Sequence, residues 1–523
     1  MQSTPMDLAI TASNHNAYDA DARSETRCRN ESEKLPVELL IKIFSYASGL
    51  SGGYNMDVES ASYYVSKLHT VAQVCRRWLD IIKGAPELWT LVTDRDPANA
   101  TLALDKSGLH SFSLALTSTP LNTPLYDKVL GHSRRWRRAD IRVVPGDEKA
   151  LRRLEEISTP LLQHLQLECP RWGRNSALSV DLFRDHPPKL ASLALINITI
   201  HPWNSPIFGS HLHTLKLTRI YTSGPTRENL YGILLACPAL AHLELINVAF
   251  SGEAGDWRPQ IPSLQLPLLH TLRLRPSSPF DALDVARMAE IPRCRYYYVS
   301  NGPENPHSIV LTAVALQVQK PLEACIASGR SLDVQIDGYW ICLFCRDKSP
   351  SSSFNLKLGK ISSYEQVFDW INTILLVPRP PRSPIPVSIH LEYPRNRGPP
   401  PSPSDLFRIS NVWSLTISDN FGYTHTLVEA LSGRSDLGNG SDGWPWPRLQ
   451  RVAIKAFHGP STALLYMIKA RMEAALHKEG TRCIGGIAKL DRFHVEAGVF
   501  TSEEFEAIRG VLGDAAIVKP ANS

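Results

Sequence analysis

A six-residue pattern, apolar-x-x-apolar-x-Leu or Ile, returns at nearly constant intervals after residue 100, and a fixed return leaves a chain few ways to fold. Its copies lie at 109–114, 136–141, 162–167, 190–195, 212–217, 240–245 and 269–274. Their starts are separated by 27, 26, 28, 22, 28 and 29 residues. Each copy reads as one short strand whose alternate side chains, Leu165 and Leu167 for instance, point inward. The residues between copies carry the chain back outside, as at 227–236, where Leu230, Ile233 and Leu234 share a helical face and Cys237-Pro238 ends it. One such unit cannot bury its own apolar face, whereas a stack of them can.

The period and pattern resemble the leucine-rich repeat. Asn197 and Asn247 fall just after the last leucine, near where that repeat often carries Asn or Cys. The resemblance implies an α/β repeat fold: an irregular leucine-rich-repeat solenoid, a curved parallel sheet with outer helices, over 93–523. Strand residues between the inward leucines would then line one extended face, the usual binding surface of such a fold. Those residues are Arg138, Asp140, His164, Gln166, Thr214, Lys216, His242, Glu244, Thr271 and Arg273. Mixed charge signs along the row suit a protein target better than a lipid or a polyanion.

Beyond about 290 the rhythm loosens. Strand-like runs continue at 296–299, 332–336, 387–391, 412–417, 449–454 and 490–495. Proline-rich 378–403, flanking an edge-type strand, and Gly/Ser/Asp-rich 432–447 with its Trp-Pro-Trp-Pro read as exposed loops. A helix is expected over 461–479 with Leu464, Leu465, Ile468, Met472 and Ala475 on one face. A final helix follows, through Phe505, Ile508 and Leu512, behind a capping box of Thr501 and Glu504.

Ahead of the repeats stand two apolar helical patterns. Pro36 suits a first helical turn, and Leu40, Ile43, Phe44 and Ala47 then share a face. The second pattern runs through Leu68, Val71, Ala72, Cys75, Trp78, Leu79 and Ile82 until Gly84 and Pro86 stop it. Fewer than ~60 residues make a marginal core, so another surface must cover these faces. Leu35-Pro36-x-Glu38-Leu39-Leu40-x-x-Ile43-Phe44, then Val74-Cys75-Arg76-Arg77-Trp78, then Pro86-Glu87-Leu88-Trp89 resemble the F-box, in the arrangement of fungal-type F-box proteins. The likeness covers 34–92. It departs from the family in a long polar insert at 49–66, where a short connection is usual.

The F-box resemblance implies a small helical module that binds a Skp-type adaptor and, through it, a cullin–RING ubiquitin ligase. Adaptor contacts would fall to Leu35, Pro36, Leu39, Ile43, Phe44, Val74, Cys75, Trp78, Leu79 and Ile82. The repeats would hold a protein target near the ligase. Two other readings stand beside this one: a repeat scaffold that recruits no ligase, and a ligand-binding or enzymatic repeat domain.

Composition narrows the classes. A net charge of +5 over 523 residues lacks the concentrated basic field of a nucleic-acid binder. Nine scattered cysteines read as reduced thiols, not as a disulfide framework. The start of the chain has neither the basic residues nor the apolar run of a signal peptide, and no apolar run reaches the ~20 residues of a membrane span. An intracellular protein, in cytoplasm or nucleus, is expected. Residues 1–33 are too poor in large apolar groups to fold and read as a disordered tail.

Local motifs add little chemistry. Gly438-x-Gly440-x-x-Gly443 has the letters of a dinucleotide loop, but Trp444-Pro445-Trp446-Pro447 cannot open the helix that loop requires. Cys342-x-x-Cys345 has zinc spacing without a second ligand pair. Arg134-Arg135-Trp136-Arg137-Arg138 is dense in charge, yet Trp136 occupies an inward repeat position. His211 and His213 flank Leu212 with no third ligand. The expectation is a non-enzymatic protein with no cofactor and no metal.

Overall fold

A computed structural model of the chain describes residues 34–48, 67–116, 123–143, 148–169, 178–221, 223–251, 263–275, 279–300, 318–319, 322–323, 331–337, 340–345, 354–359, 364–375, 385–393, 400–419, 423–432, 435–436, 442–455, 461–476, 488–496, 502–513 and 516–519. The expected tail at 1–33 and the insert at 49–66 lie outside the described residues. Two compact units are present: 1–119 with 123–137, and 138–523 with 120–122.

In the first unit, α1 (Val37–Ser48) begins where the Pro36 carbonyl accepts from the N–H groups of Leu39 and Leu40, both at 3.1 Å. Its inward stripe is Leu40, Phe44 and Ser48. The second apolar pattern, expected as one span, is broken. The chain is helical at 67–72, turns, and resumes as α2 (Arg76–Gly84) behind an extended Cys75 at φ −159°. A break this short leaves the apolar spacing intact, so periodicity does not reveal it. A 3-10 turn, Pro86–Trp89, leads to β1 (Leu91–Thr93), which pairs in parallel with β2 (Phe112–Leu116). Between them lies α3 (Pro97–Lys106), its first turn capped by the Asp96 carboxylate. Helix α4 (Pro124–Gly131) follows, capped by Thr123.

One expected repeat copy shifts. Leu109 is 95% exposed, and the buried alternation starts instead at Phe112 and Leu114. Ser107 closes α3 and Gly108 turns the chain at φ +56°, which leaves Leu109 in the loop. Trp136 is fully buried and donates from Nε1 to the Val129 carbonyl at 3.2 Å.

The second unit carries a long, largely parallel sheet. Strands β3 (Trp136–Arg142), β4 (His164–Glu168), β5 (Ser192–Ile196), β6 (Thr214–Thr218), β7 (His242–Ile246), β8 (Thr271–Arg275) and β9 (Tyr296–Ser300) each pair in parallel with the next. Register is constant. Leu165, Leu193, Leu215, Leu243, Leu272 and Tyr297 form one buried row, and Leu167, Leu195, Leu217, Leu245, Leu274 and Val299 the next. Burying each leucine side chain is worth about 2 kcal/mol. A further rung follows the strands, where the N–H groups of Val143, Cys169, Asn197, Arg219 and Asn247 donate to Glu168, Ile196, Thr218, Ile246 and Arg275. Asn197, Arg219 and Asn247 take positive φ there, a conformation Asn tolerates better than most residues.

Past β9 the order is altered by β10 (Leu332–Asp337), β11 (Trp340–Cys345) and β12 (Phe354–Gly359). Strand β12 pairs in parallel with β9, β11 runs antiparallel between β12 and β10, and β10 pairs in parallel with β13 (Val387–Tyr393). The ladder then continues in sequence through β14 (Val412–Asp419), β15 (Arg451–Lys455), β16 (Arg492–Glu496) and β17 (Ala516–Lys519). Connections supply helices, among them α5 (Arg227–Ala236), α6 (Pro279–Met288), α7 (Tyr364–Leu375), α8 (Pro403–Phe407), α9 (Tyr423–Ser432), α10 (Ser461–Leu476) and α11 (Ser502–Leu512).

Three expectations for this half are corrected. The strand inside 378–403 is not at an edge, because β13 pairs on both sides. Pro401 is buried and Ser402 caps α8, so the end of that stretch is packed. Pro445 and Trp446 are buried rather than looped out. Trp446 donates to the Ile409 carbonyl, and Arg471 of α10 donates to the carbonyls of Pro445 and Trp446 at 3.0 and 2.6 Å. Burial alone pulls the Arg471 guanidinium down to about 10. The inward stripe of α10 is accordingly Leu464, Met467, Ile468 and Arg471.

Charge also ties helix to helix. Arg227 at the start of α5 reaches Asp284 through Nε and Asp281 at 3.3 Å, all three side chains being buried. Removing one partner from a buried ion group strands the others. Arg227→Ala will therefore cost about 3–5 kcal/mol, and combining Arg227→Met with Asp281→Leu and Asp284→Leu will restore most of it in chemical denaturation.

Candidate functional site

The ten residues assigned to adaptor contact divide by depth. Pro36, Leu39, Ile43 and Val74 are exposed. Leu35, Cys75, Trp78 and Leu79 are half-buried. Phe44 and Ile82 are sealed in the module's own core with Leu40, Leu68, Leu88 and Leu91, so they shape the surface from beneath and do not present to a partner. Trp78 lies between these classes. Its ring centroid is 4.9 Å from that of Phe44, and its Nε1 has no hydrogen-bond partner among the described residues.

Helix α1 is apolar on two sides, which a helix serving only its own core need not be. Leu40 and Phe44 face inward, while Pro36, Leu39, Ile43 and Tyr46 recur at spacings of three and four on the outside. Leu39 and Ile43 are each 46% exposed and Tyr46 72%. Single exposed apolar residues are ordinary; a stripe of them marks a contact surface. Sequence spacing missed Val37 and Tyr46, which the exposure pattern adds.

Two hydrogen bonds fix the frame that presents this stripe. Arg77 donates from Nη2 to the Leu35 carbonyl at 2.9 Å, tying α2 to the entry of α1. Trp89 donates from Nε1 to the Ile82 carbonyl at 2.7 Å. Beside the core, a cleft of about 1000 Å³ is lined by Leu68, Cys75, Leu79, Ile82, Leu91 and Ala103 among others.

The second unit brings together the residues expected on the strand face. Arg138, His164, Thr214, His242 and Thr271 form one cross-strand row with Ser192, and Asp140, Gln166, Lys216, Glu244 and Arg273 the next with Ala194. Lys216 and His242 are the exposed members. Asp140 is withdrawn: it is buried and bound by Arg138 at 3.0 Å. Burial pushes its carboxyl up, and Arg138 opposes this. Burial, then His270 and Lys216, pulls His242 down.

Positions weighed for other chemistry sit as follows. Cys342 and Cys345 lie on β11 with buried thiols, and burial raises the Cys342 thiol. His211 and His213 are exposed. Part of the Gly438–Gly443 stretch lies outside the described residues. Among the described residues no helix is long and apolar enough to cross a membrane.

The depth division has a measurable consequence. Phe44→Ala will open the module's core at a cost of about 3–5 kcal/mol, whereas Ile43→Ser will change stability by less than about 1 kcal/mol. Hydrogen exchange of the peptide covering 37–48 will accelerate sharply in the first variant and hardly in the second.

None of the curated proteins compared with the chain matches it. Residues 32–95 do match the F-box-like family, so the helical module carrying the two-sided α1 is an F-box-like domain.

Proposed function

We propose that this chain is the substrate-recognition subunit of a Skp–cullin–F-box ubiquitin ligase. The carrying observation is the outward apolar stripe Pro36, Leu39, Ile43 and Tyr46 on α1 of the F-box-like domain. F-box domains typically bind Skp-type adaptors, and an amphipathic helix docks by laying such a stripe into an apolar groove. Pro36, Leu39, Ile43 and Val74 make direct contact in this reading. Leu35, Cys75, Trp78 and Leu79 border it, and Phe44 and Ile82 hold the helices at the required spacing.

The second unit is read as an irregular leucine-rich-repeat solenoid. Constant strand register, two buried leucine rows and the extra rung after each strand support that reading. Its polar strand face takes a protein target. Catalysis belongs to the ligase; this chain contributes proximity by raising the target's effective concentration. Such a role places it inside the cell, where the ligase works.

Co-expression with a Skp-type adaptor tests the reading. The unmodified chain will retain the adaptor through affinity purification, and Leu39→Asp with Ile43→Asp will lose it while circular dichroism stays unchanged. A double variant that keeps the adaptor at the original level refutes the assigned face.

A further inference from the structure

An aromatic and cationic cluster stands on the strand face where the sequence rhythm loosens. Arg273, Tyr298 and Lys357 occupy one register row across β8, β9 and β12. The Arg273 guanidinium carbon lies 4.6 Å above the Tyr298 ring centroid. Lys357 Nζ lies 4.5 Å from the Trp340 ring and 5.9 Å from that of Tyr298. The two rings themselves are 5.4 Å apart. Trp340 packs directly over Gly359, where a Cβ would fall 1.9 Å from its Cζ3.

We propose that this face binds an acidic, carboxylate-bearing segment of a partner protein, with Arg273 and Lys357 as its two anchors. The inference rests on the target-receptor reading and names the chemistry of the target.

Charge complementarity carries it. Arg273 has Glu244 at 3.5 Å, and Asp337 stands opposite Trp340 on the same face. Lys357 and Arg275, however, have no ion pair among the described residues, so two cations of the patch are open to an incoming carboxylate. A cation resting on a ring is held in place while its N–H groups stay free for a ligand. Less rotamer freedom is then lost on binding. Arg273 and Lys357 stand two strands apart, roughly 9.6 Å at the ~4.8 Å strand spacing. That matches side chains three residues apart in a polyproline-II peptide, which returns to the same side every three residues at ~3.1 Å each. Base stacking needs a bare aromatic face, and here the cations already cover the rings.

The probe is a fluorescein-labelled (Glu-Gly-Gly)4 peptide, followed by anisotropy on the full chain. Binding is expected, weakening as salt rises. Lys357→Gln with Arg273→Gln will reduce affinity at least tenfold. Lys357→Arg will keep binding within about threefold, and Lys455→Gln, on the distant β15, will leave it unchanged. Thermal unfolding of each variant checks that the fold persists.

Equal binding of the (Gln-Gly-Gly)4 peptide overturns the proposal, as does an unaltered affinity in the double variant. Binding confined to a phosphoserine peptide or to oligouridylate does so too. Adaptor retention measured on the same samples separates the two ideas. A missing peptide interaction with adaptor retained removes this inference alone, whereas adaptor lost by the unmodified chain removes the receptor reading.

Discussion

In-register parallel pairing in the second unit places leucine over leucine from one strand to the next, and most other features of the sheet follow from it. A one-residue slip would send the apolar rows to the polar face and bring Lys216 and Glu244 inside. The polar face is therefore specified by the core beneath it. Its rows are straight because the leucine rows are straight, and the rung made by Val143, Cys169, Asn197, Arg219 and Asn247 extends the same register past the strand ends. Parallel strands also force long connections, and these supply the helices that cover the other side of the leucines.

The first unit works on a different principle. Its core is small and assembled from helices whose contacts are few: Leu40 and Phe44 against Leu68, Ile82, Leu88 and Leu91. Arg77 and Trp89 pin the backbone at Leu35 and Ile82. Apolar residues remain outside that core on α1, which is the physical basis for reading the domain as unfinished without a second polypeptide.

Periodicity made the strands legible. The positions of β4 through β8 could be read from Leu162, Leu190, Leu212, Leu240 and Leu269, because alternation and a constant return are properties of the letters alone. Leu109 misled because Ser107 closes α3 and the turn at Gly108 leaves Leu109 in the loop before the strand. The apolar residues flanking Cys342 and Cys345 favour buried thiols, as the structure has them, but so uniformly apolar a run shows no alternation from which β11 could be read. Pro401, Pro445 and Trp446 looked like loop residues by composition; their hydrogen-bond partners, Tyr423, Ile409 and Arg471, stand 22 to 37 residues away, which no local window contains. On α1 the spacing found the helix but could not say which apolar side was inside. Leu39 and Phe44 differ by less in sequence than by the core that forms around one of them. Tyr298, Trp340 and Lys357 meet only because the strand order changes there.

That change of order has a further effect. From β3 to β9 each strand meets the one just made, and from β13 onward the same holds, so both stretches can zip up from near neighbours. The joint between them is different: β9 must wait for β12, more than 50 residues later, while β10 and β11 take places out of turn. Closing so long a span is entropically slower than adding a neighbouring strand. The antiparallel strand β11 is thus the splice between two stretches of in-order pairing, and the long sheet is continuous only once β10 to β12 are in place.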